Sequence, residues 1–181
     1  MKKIGIVLVL SVAFALSVCA QQVNDGKMII TILSNFHSGF GSLNDDRGFE
    51  LERSYLGYQC SLPGNLEMKV VFDVGRSNSV DDFHRIAYVK NALVLWKNGN
   101  WKLSGGIVPT ILCDFQEKFW GYRYVMKSFQ DEYKFGSSAD LGFSMEYKFA
   151  DWVKGDFMMV NGEGYKKVQK NKGLLYALGF T

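Results

Sequence analysis

Ala139-Asp140-Leu141-Gly142-Phe143-Ser144-Met145-Glu146-Tyr147-Lys148-Phe149 decides how the rest of the chain reads. One parity of this stretch holds Ala139, Leu141, Phe143, Met145, Tyr147 and Phe149, all apolar or aromatic. The other holds Asp140, Gly142, Ser144, Glu146 and Lys148, all small, polar or charged. Side chains on a strand alternate between faces, so the pattern predicts a strand with one apolar face and one wet face. The quoted run is 11 residues long. A tilted strand needs about 9–11 residues to cross a bilayer. A chain built from many such strands is expected among outer-membrane β-barrels.

Seven further segments of this kind are expected around it. The eight together are 27–36, 49–60, 65–74, 83–96, 101–108, 138–149, 152–160 and 173–181. The connections alternate in length. Segments 40–48, 75–82, 109–137 and 161–172 are long or polar, whereas 61–64, 97–100 and 150–151 are short. Pro63-Gly64 and Lys97-Asn98-Gly99-Asn100 carry turn chemistry. Long loops at one end and short turns at the other are the habit of a membrane barrel whose first strand rises from the periplasm. Trp96 and Trp101 flank one short turn, and Phe149 and Trp152 flank another, where an interfacial aromatic girdle would stand.

Parity assigns the faces. Leu56, Tyr58, Leu66, Met68, Val70, Phe72, Leu93, Leu95, Leu103, Ile107, Leu141, Phe143, Met145, Tyr147, Phe157 and Met159 are expected to point outward. Arg53, Glu67, Lys69, Asp73, Lys90, Lys102, Asp140, Glu146, Lys148, Lys154 and Asp156 are expected to point inward. The fourth segment resists this assignment, since Asn91 falls outward and Trp96 inward unless a bulge intervenes.

The N-terminus carries a secretory pattern. Lys2 and Lys3 precede the uncharged apolar run 4–18, and Val18-Cys19-Ala20 is a small-residue cleavage site before Gln21. Residues 1–20 are expected to be a signal peptide and 21–181 one outer-membrane domain. Leu16-Ser17-Val18-Cys19 also allows lipidation of Cys19, although Val18 is bulky for that position. The chain has 21 basic and 18 acidic side chains, and without Lys2 and Lys3 the balance falls to 19 against 18. Such neutrality gives no support to nucleic-acid binding or to a polybasic membrane contact. Mean hydropathy is −0.04, too low for a helical membrane protein but natural for strands that are half wet.

No catalytic or cofactor constellation emerges. Adjacent residues of a strand point to opposite faces, so His37 and Ser38 cannot share a proton directly. His37 and His84 are expected at the solvated surface. Asp45-Asp46 and Asp81-Asp82 are better read as loop carboxylates than as a Ca²⁺ site, and no metal-spaced His/Cys cluster occurs. Cys60 and Cys113 are expected to be free thiols, because the topology places them too far apart for a disulfide.

The residues become more specific at the long connection. Phe119-Trp120-Gly121-Tyr122-Arg123 is followed by Ser138-Ala139-Asp140-Leu141-Gly142 and then by Asn161-Gly162-Glu163-Gly164-Tyr165. After the early Phe49-Glu50-Leu51-Glu52-Arg53, this series resembles porins of the Bacteroidetes type, similar to the phosphate-selective porin O and P family. The resemblance runs from about residue 49 to the end, and its motifs are short and aromatic. It implies a general porin passing small hydrophilic solutes or ions, with segment 109–137 folding inward to shape the channel. It also implies outer-membrane lipid, lipopolysaccharide and the barrel-assembly machinery as partners, without nucleic acid, and leaves a homo-oligomer open. The pore-lining candidates are Arg53, Lys69, Lys90, Lys102, Arg123, Asp140, Glu146 and Lys148. Neither a catalytic residue nor a cofactor is expected.

Two features depart from the family pattern. The family barrel is about twice as long, so this chain is expected to be its N-terminal portion, with Thr181 inside a strand. Eight strands alone make a barrel filled by its own side chains. The inward set holds six basic and five acidic groups, without the Arg/Lys excess that an anion filter wants. Phosphate selectivity is therefore not carried over. Two alternatives stand beside the porin. One is a complete small eight-stranded barrel with a structural or adhesive role, and the other a secreted glycan-binding β-sandwich.

Overall fold

A computed structural model describes residues 24–39, 46–76, 84–123, 126–170 and 172–181. The expected signal peptide, the lipidation alternative, Asp45 and the Asp81-Asp82 pair lie outside them. The described residues form one antiparallel sheet of eight strands in sequential order. The strands are β1 (Asn24–Ser38), β2 (Arg47–Leu62), β3 (Leu66–Arg76), β4 (Arg85–Asn98), β5 (Trp101–Pro109), β6 (Ala139–Ala150), β7 (Val153–Val160) and β8 (Leu175–Phe180). Each of the eight expected segments overlaps one strand. Among the described residues β1 and β8 do not pair with each other, so the sheet is open.

The short turns share one end. Leu62 pairs with Leu66 across Pro63-Gly64-Asn65, Asn98 with Trp101 across Gly99-Asn100, and Ala150 with Val153 across Asp151-Trp152. Gly99 takes φ 55° at the first turn position, which suits glycine in a two-residue hairpin. The longer connections lie at the other end.

The sheet curls. Gln59 on β2, Lys154 on β7 and Thr181 after β8 line one cavity of about 410 Å³ on the polar face. Seven interstrand steps of roughly 4.8 Å would keep the outermost strands of a flat sheet far apart. Bulges and one unusual glycine assist the bend. Glu52 on β2 and Lys90 on β4 are the extra residues of two register shifts. Gly106 holds φ 117°, and a Cβ there would run into the Ala92 carbonyl oxygen of the neighbouring strand.

The β4 bulge corrects the expected faces. Val71 pairs with Asn91 but Phe72 pairs with Val89, leaving Lys90 unpaired. Beyond it Asn91, Leu93, Leu95 and Lys97 share the concave face with Lys69 and Glu67, while Trp96 pairs with Leu66 on the convex face. Leu93 and Leu95 therefore point inward, not outward. Leu93 there packs under a helix. Segment 109–137 is not an irregular loop, since it contains α1 (Ile111–Trp120) and the single turn α2 (Phe129–Glu132). Ile111 at the start of α1 packs with Leu93 and Ala177 against Val108, Met158 and Val160, a small apolar core on the concave side.

The convex face is apolar and bare. Met28, Ile30 and Ile32 on β1, Leu56 and Tyr58 on β2, Phe72 on β3, Val94 on β4, Leu141 on β6 and Leu178 and Phe180 on β8 are all exposed. At the short-turn end Trp101 packs on Tyr147 with centroids 4.4 Å apart, and Tyr147 on Phe149 at 4.9 Å. Trp152 and Phe180 stand exposed at the same end.

Candidate functional site: a charged concave wall under a helix

The wet parity of β2 to β7 and one face of α1 build the site together. At the cavity wall Lys97 Nζ donates to Glu67 Oε1 at 2.7 Å, and Gln59 Nε2 donates to Glu67 Oε2 at 3.2 Å. Lys154 Nζ lies 3.2 Å and Lys102 Nζ 3.9 Å from Glu146 Oε2. On α1, Lys118 Nζ donates to Asp114 Oδ2 at 2.6 Å, the i,i+4 spacing that faces both side chains the same way. Ser104 and Ser144 share a hydrogen bond of 2.6 Å across the β5–β6 ladder. The cavity carries Lys69, Lys97, Lys102, Lys118 and Lys154 against Glu67, Asp114, Glu146 and Asp156. Such near balance leaves a polar wall of low net charge.

The pore-lining candidates separate into groups. Lys69, Lys102 and Glu146 line this cavity. Among the described residues Lys69 makes no ion pair, and it lies within electrostatic reach of Asp114, Lys90, Lys102 and Lys118. Arg53 and Lys90 sit on the concave side nearer the long connections. Arg53 Nε lies 3.3 Å from Asp73 Oδ1 and its Nη1 donates to Tyr55 at 3.3 Å. Lys90 Nζ sits 4.2 Å above the Tyr55 ring. Lys148 shares the concave parity but pairs with Asp151 at the short-turn end, at 2.7 Å.

Arg123 and Asp140 hold connections in place. Arg123 reaches Glu117 of α1 at 3.7 Å and Asp131 of α2 at 3.2 Å, and so ties the two helical pieces. Asp140 is buried. It accepts from its neighbour Leu141 N at 2.7 Å and from Gly162 N at 2.6 Å and Gly164 N at 3.1 Å. That clamp folds the start of the connection after β7, residues 161–165, inward. Its Tyr165 then reaches Asp73 on β3, where Lys166 Nζ also lies at 3.6 Å. Burial, then the Asp73 hydrogen bond, pushes the Tyr165 phenol above its ordinary pKa.

Sequence reasoning missed α1, the place of Ile111, and the pairing of Tyr165 with Asp73. For α1 the signals were present. Thr110 precedes it, Asp114 stands in its first turn and Lys118 in its last, and Gly121 closes it at φ 68°. For Tyr165 no local signal existed, because its partner is 92 residues away. His37 meets Asp46 at 3.4 Å at the chain surface. Cys60 and Cys113 are free and buried, and burial raises the Cys113 thiol pKa against the opposing hydrogen bond with Thr110.

In comparisons with known proteins, no family model, curated protein or solved structure matches the chain.

Proposed function

We propose that this chain is part of an outer-membrane β-barrel of the porin type, exported by residues 1–20, whose concave wall passes small hydrophilic solutes or ions. One observation carries the reading. Strand after strand, the convex face leaves large apolar side chains bare while the concave face carries paired charges. Lipid is the solvent that accepts the first, and water the one that accepts the second. Soluble proteins rarely expose contiguous apolar surface on this scale. The row Trp101, Tyr147, Phe149 and Trp152 at the short-turn end suits a membrane–water interface.

Segment 109–137 supports a pore of restricted width, since α1 packs on the concave wall through Ile111 and turns Asp114 and Lys118 toward the cavity. The near balance of lysines and carboxylates favours weak charge selection over an anion filter. The β-sandwich alternative needs a second sheet to cover the apolar face, and the described strands form a single sheet. The small closed barrel needs β1 to meet β8.

The test is conductance. Protein purified from the outer-membrane fraction is added to a planar lipid bilayer, and discrete current steps are expected. Folded, membrane-inserted protein that passes no current would favour the small closed barrel. Protein that stays soluble without detergent would sink both membrane readings.

A further inference from the structure

The face of α1 turned away from the wall, together with α2, forms a second cavity of about 560 Å³. This volume falls within the roughly 300–1,000 Å³ of small-molecule sites. Phe115, Phe119, Trp120, Phe129 and Tyr133 line it, and Phe115 also lines the charged cavity, so the two adjoin. The rings are preorganised and bare. Phe115 and Phe119 stack 6.5 Å apart with planes 17° from parallel, and Phe129 is backed by Phe135 at 5.7 Å and 20°. Trp120 is held by its Nε1, which donates to Met126 O at 3.1 Å. Phe119 is 88% exposed, although it lies on a helix that packs on the sheet through Ile111. One polar group is left over. Ser128 lines the cavity and is only 4% exposed, and its hydroxyl has no hydrogen-bond partner.

We infer that this aromatic cleft binds a pyranose sugar, a reading that rests on the concave side being a solute path. Flat exposed rings present electron-rich faces. A pyranose sets axial C–H bonds against such a face and points its hydroxyls sideways. Around the rings those hydroxyls meet donors and acceptors together. Lys127 and Glu132 form an exposed pair at 3.7 Å, and Gln116 and the Ser128 hydroxyl complete the set. An anion would find Lys127, the lysine of the described lining, already paired with Glu132. A lipid chain would leave the buried Ser128 hydroxyl without a partner, which is costly.

Maltotriose is the probe, added to the full-length protein in detergent and followed by calorimetry and tryptophan emission. Saturable binding is expected, with an emission change that Trp120→Phe abolishes. Phe119→Ala removes a ring that the fold does not bury, and it should weaken binding about tenfold. Ser128→Ala should weaken it by a smaller factor. No saturable binding by protein with native circular dichroism overturns the inference, as does binding unchanged in Phe119→Ala. Two further results also overturn it: uptake of indole without uptake of maltotriose, and a patch covered by a second copy, seen as a drop in particle mass for Phe119→Ala without sugar binding. Bilayer current separates the two readings. Current with no sugar binding removes only the sugar site. Sugar binding by a protein that passes no current removes the porin reading and leaves the cleft as a sugar site.

Discussion

The phenolic hydroxyl of Tyr165 donates a hydrogen bond to the carboxylate of Asp73, 92 residues earlier in the chain. Tyr165 lies on the connection after β7 and Asp73 on β3, so this contact ties two opposite parts of the curled sheet. Asp73 is 1% exposed and also faces Arg53 at 3.3 Å. The Arg53 contact is one of charge rather than an aligned hydrogen bond, since Asp73 Oδ1 has no hydrogen-bond partner.

Removing the carboxylate should hurt more than removing the hydroxyl. Asp73→Ala leaves Arg53 half-buried without its counter-charge and is expected to cost about 3–5 kcal/mol. Tyr165→Phe loses one hydrogen bond to a charged acceptor, about 1–3 kcal/mol. Urea unfolding in detergent micelles measures both. Equal, negligible shifts would mean that the tie does not hold the fold.

Alkaline pH should weaken the fold through Tyr165. Its phenol is held protonated above its ordinary pKa by burial and the Asp73 hydrogen bond. The folded chain therefore keeps a proton that the unfolded chain releases near pH 10. The stabilisation is complete below about pH 10 and declines as pH rises past it. Tyr165→Phe should show a shallower decline over pH 9–11. Parallel curves for the two proteins would place the alkaline loss elsewhere.

The two buried cysteines should resist labelling. Burial raises the Cys113 thiol pKa and lowers its thiolate fraction at neutral pH. Maleimide at pH 7.5 should leave Cys60 and Cys113 largely unmodified in folded protein. Both should react once unfolded, without any reductant. Peptide mass mapping reads the sites, and a linked Cys60–Cys113 peptide would contradict the described topology.

Two glycines should respond differently to alanine. At Gly106 the new methyl meets the Ala92 carbonyl oxygen, and the backbone sits at φ 117°. Gly106→Ala is expected to cost about 3 kcal/mol or more. At Gly99 the surrounding space is open and only the φ of 55° is unfavourable, so Gly99→Ala should cost about 1 kcal/mol. Denaturant midpoints of the two variants make the comparison, and a larger loss at Gly99 would contradict it.

The convex face offers the sharpest test of its solvent. Leu56 is 50% exposed in the middle of β2. If lipid covers it, Leu56→Arg should destabilise bilayer-folded protein by about 2–4 kcal/mol. If water covers it, the change should stay within about 0.5 kcal/mol. Folding titrations in lipid vesicles give the answer directly.

The strands were legible because period two survives in a sequence whatever the distant contacts are. Tyr147 against Lys148 and Met145 against Glu146 need only neighbouring positions to be understood. The faces of β4 were not legible, since Leu93 and Leu95 point inward toward the face that Ile111 of α1 covers, and α1 was hidden inside a segment judged by its length. Thr110, Asp114, Lys118 and Gly121 are helix signals inside it. Among the site candidates, Lys69, Lys102 and Glu146 followed from parity alone. Asp140 shares their parity, yet it sits at the strand end and turns to backbone amides of another connection, which parity cannot reveal.

The bulge at Lys90 makes arithmetic part of the structure. Deleting that one residue would remove no core side chain. It would let Asn91 follow Val89 directly and still pair with Val71, so the side chains of β4 would keep their faces and only the bulge would go. Deleting the paired Ala92 instead would carry Leu93 and Leu95 to the outer surface and Trp96 into the cavity. A library of single-codon deletions should therefore find Lys90 far more forgiving than its near neighbour Ala92, whose loss rotates half a strand.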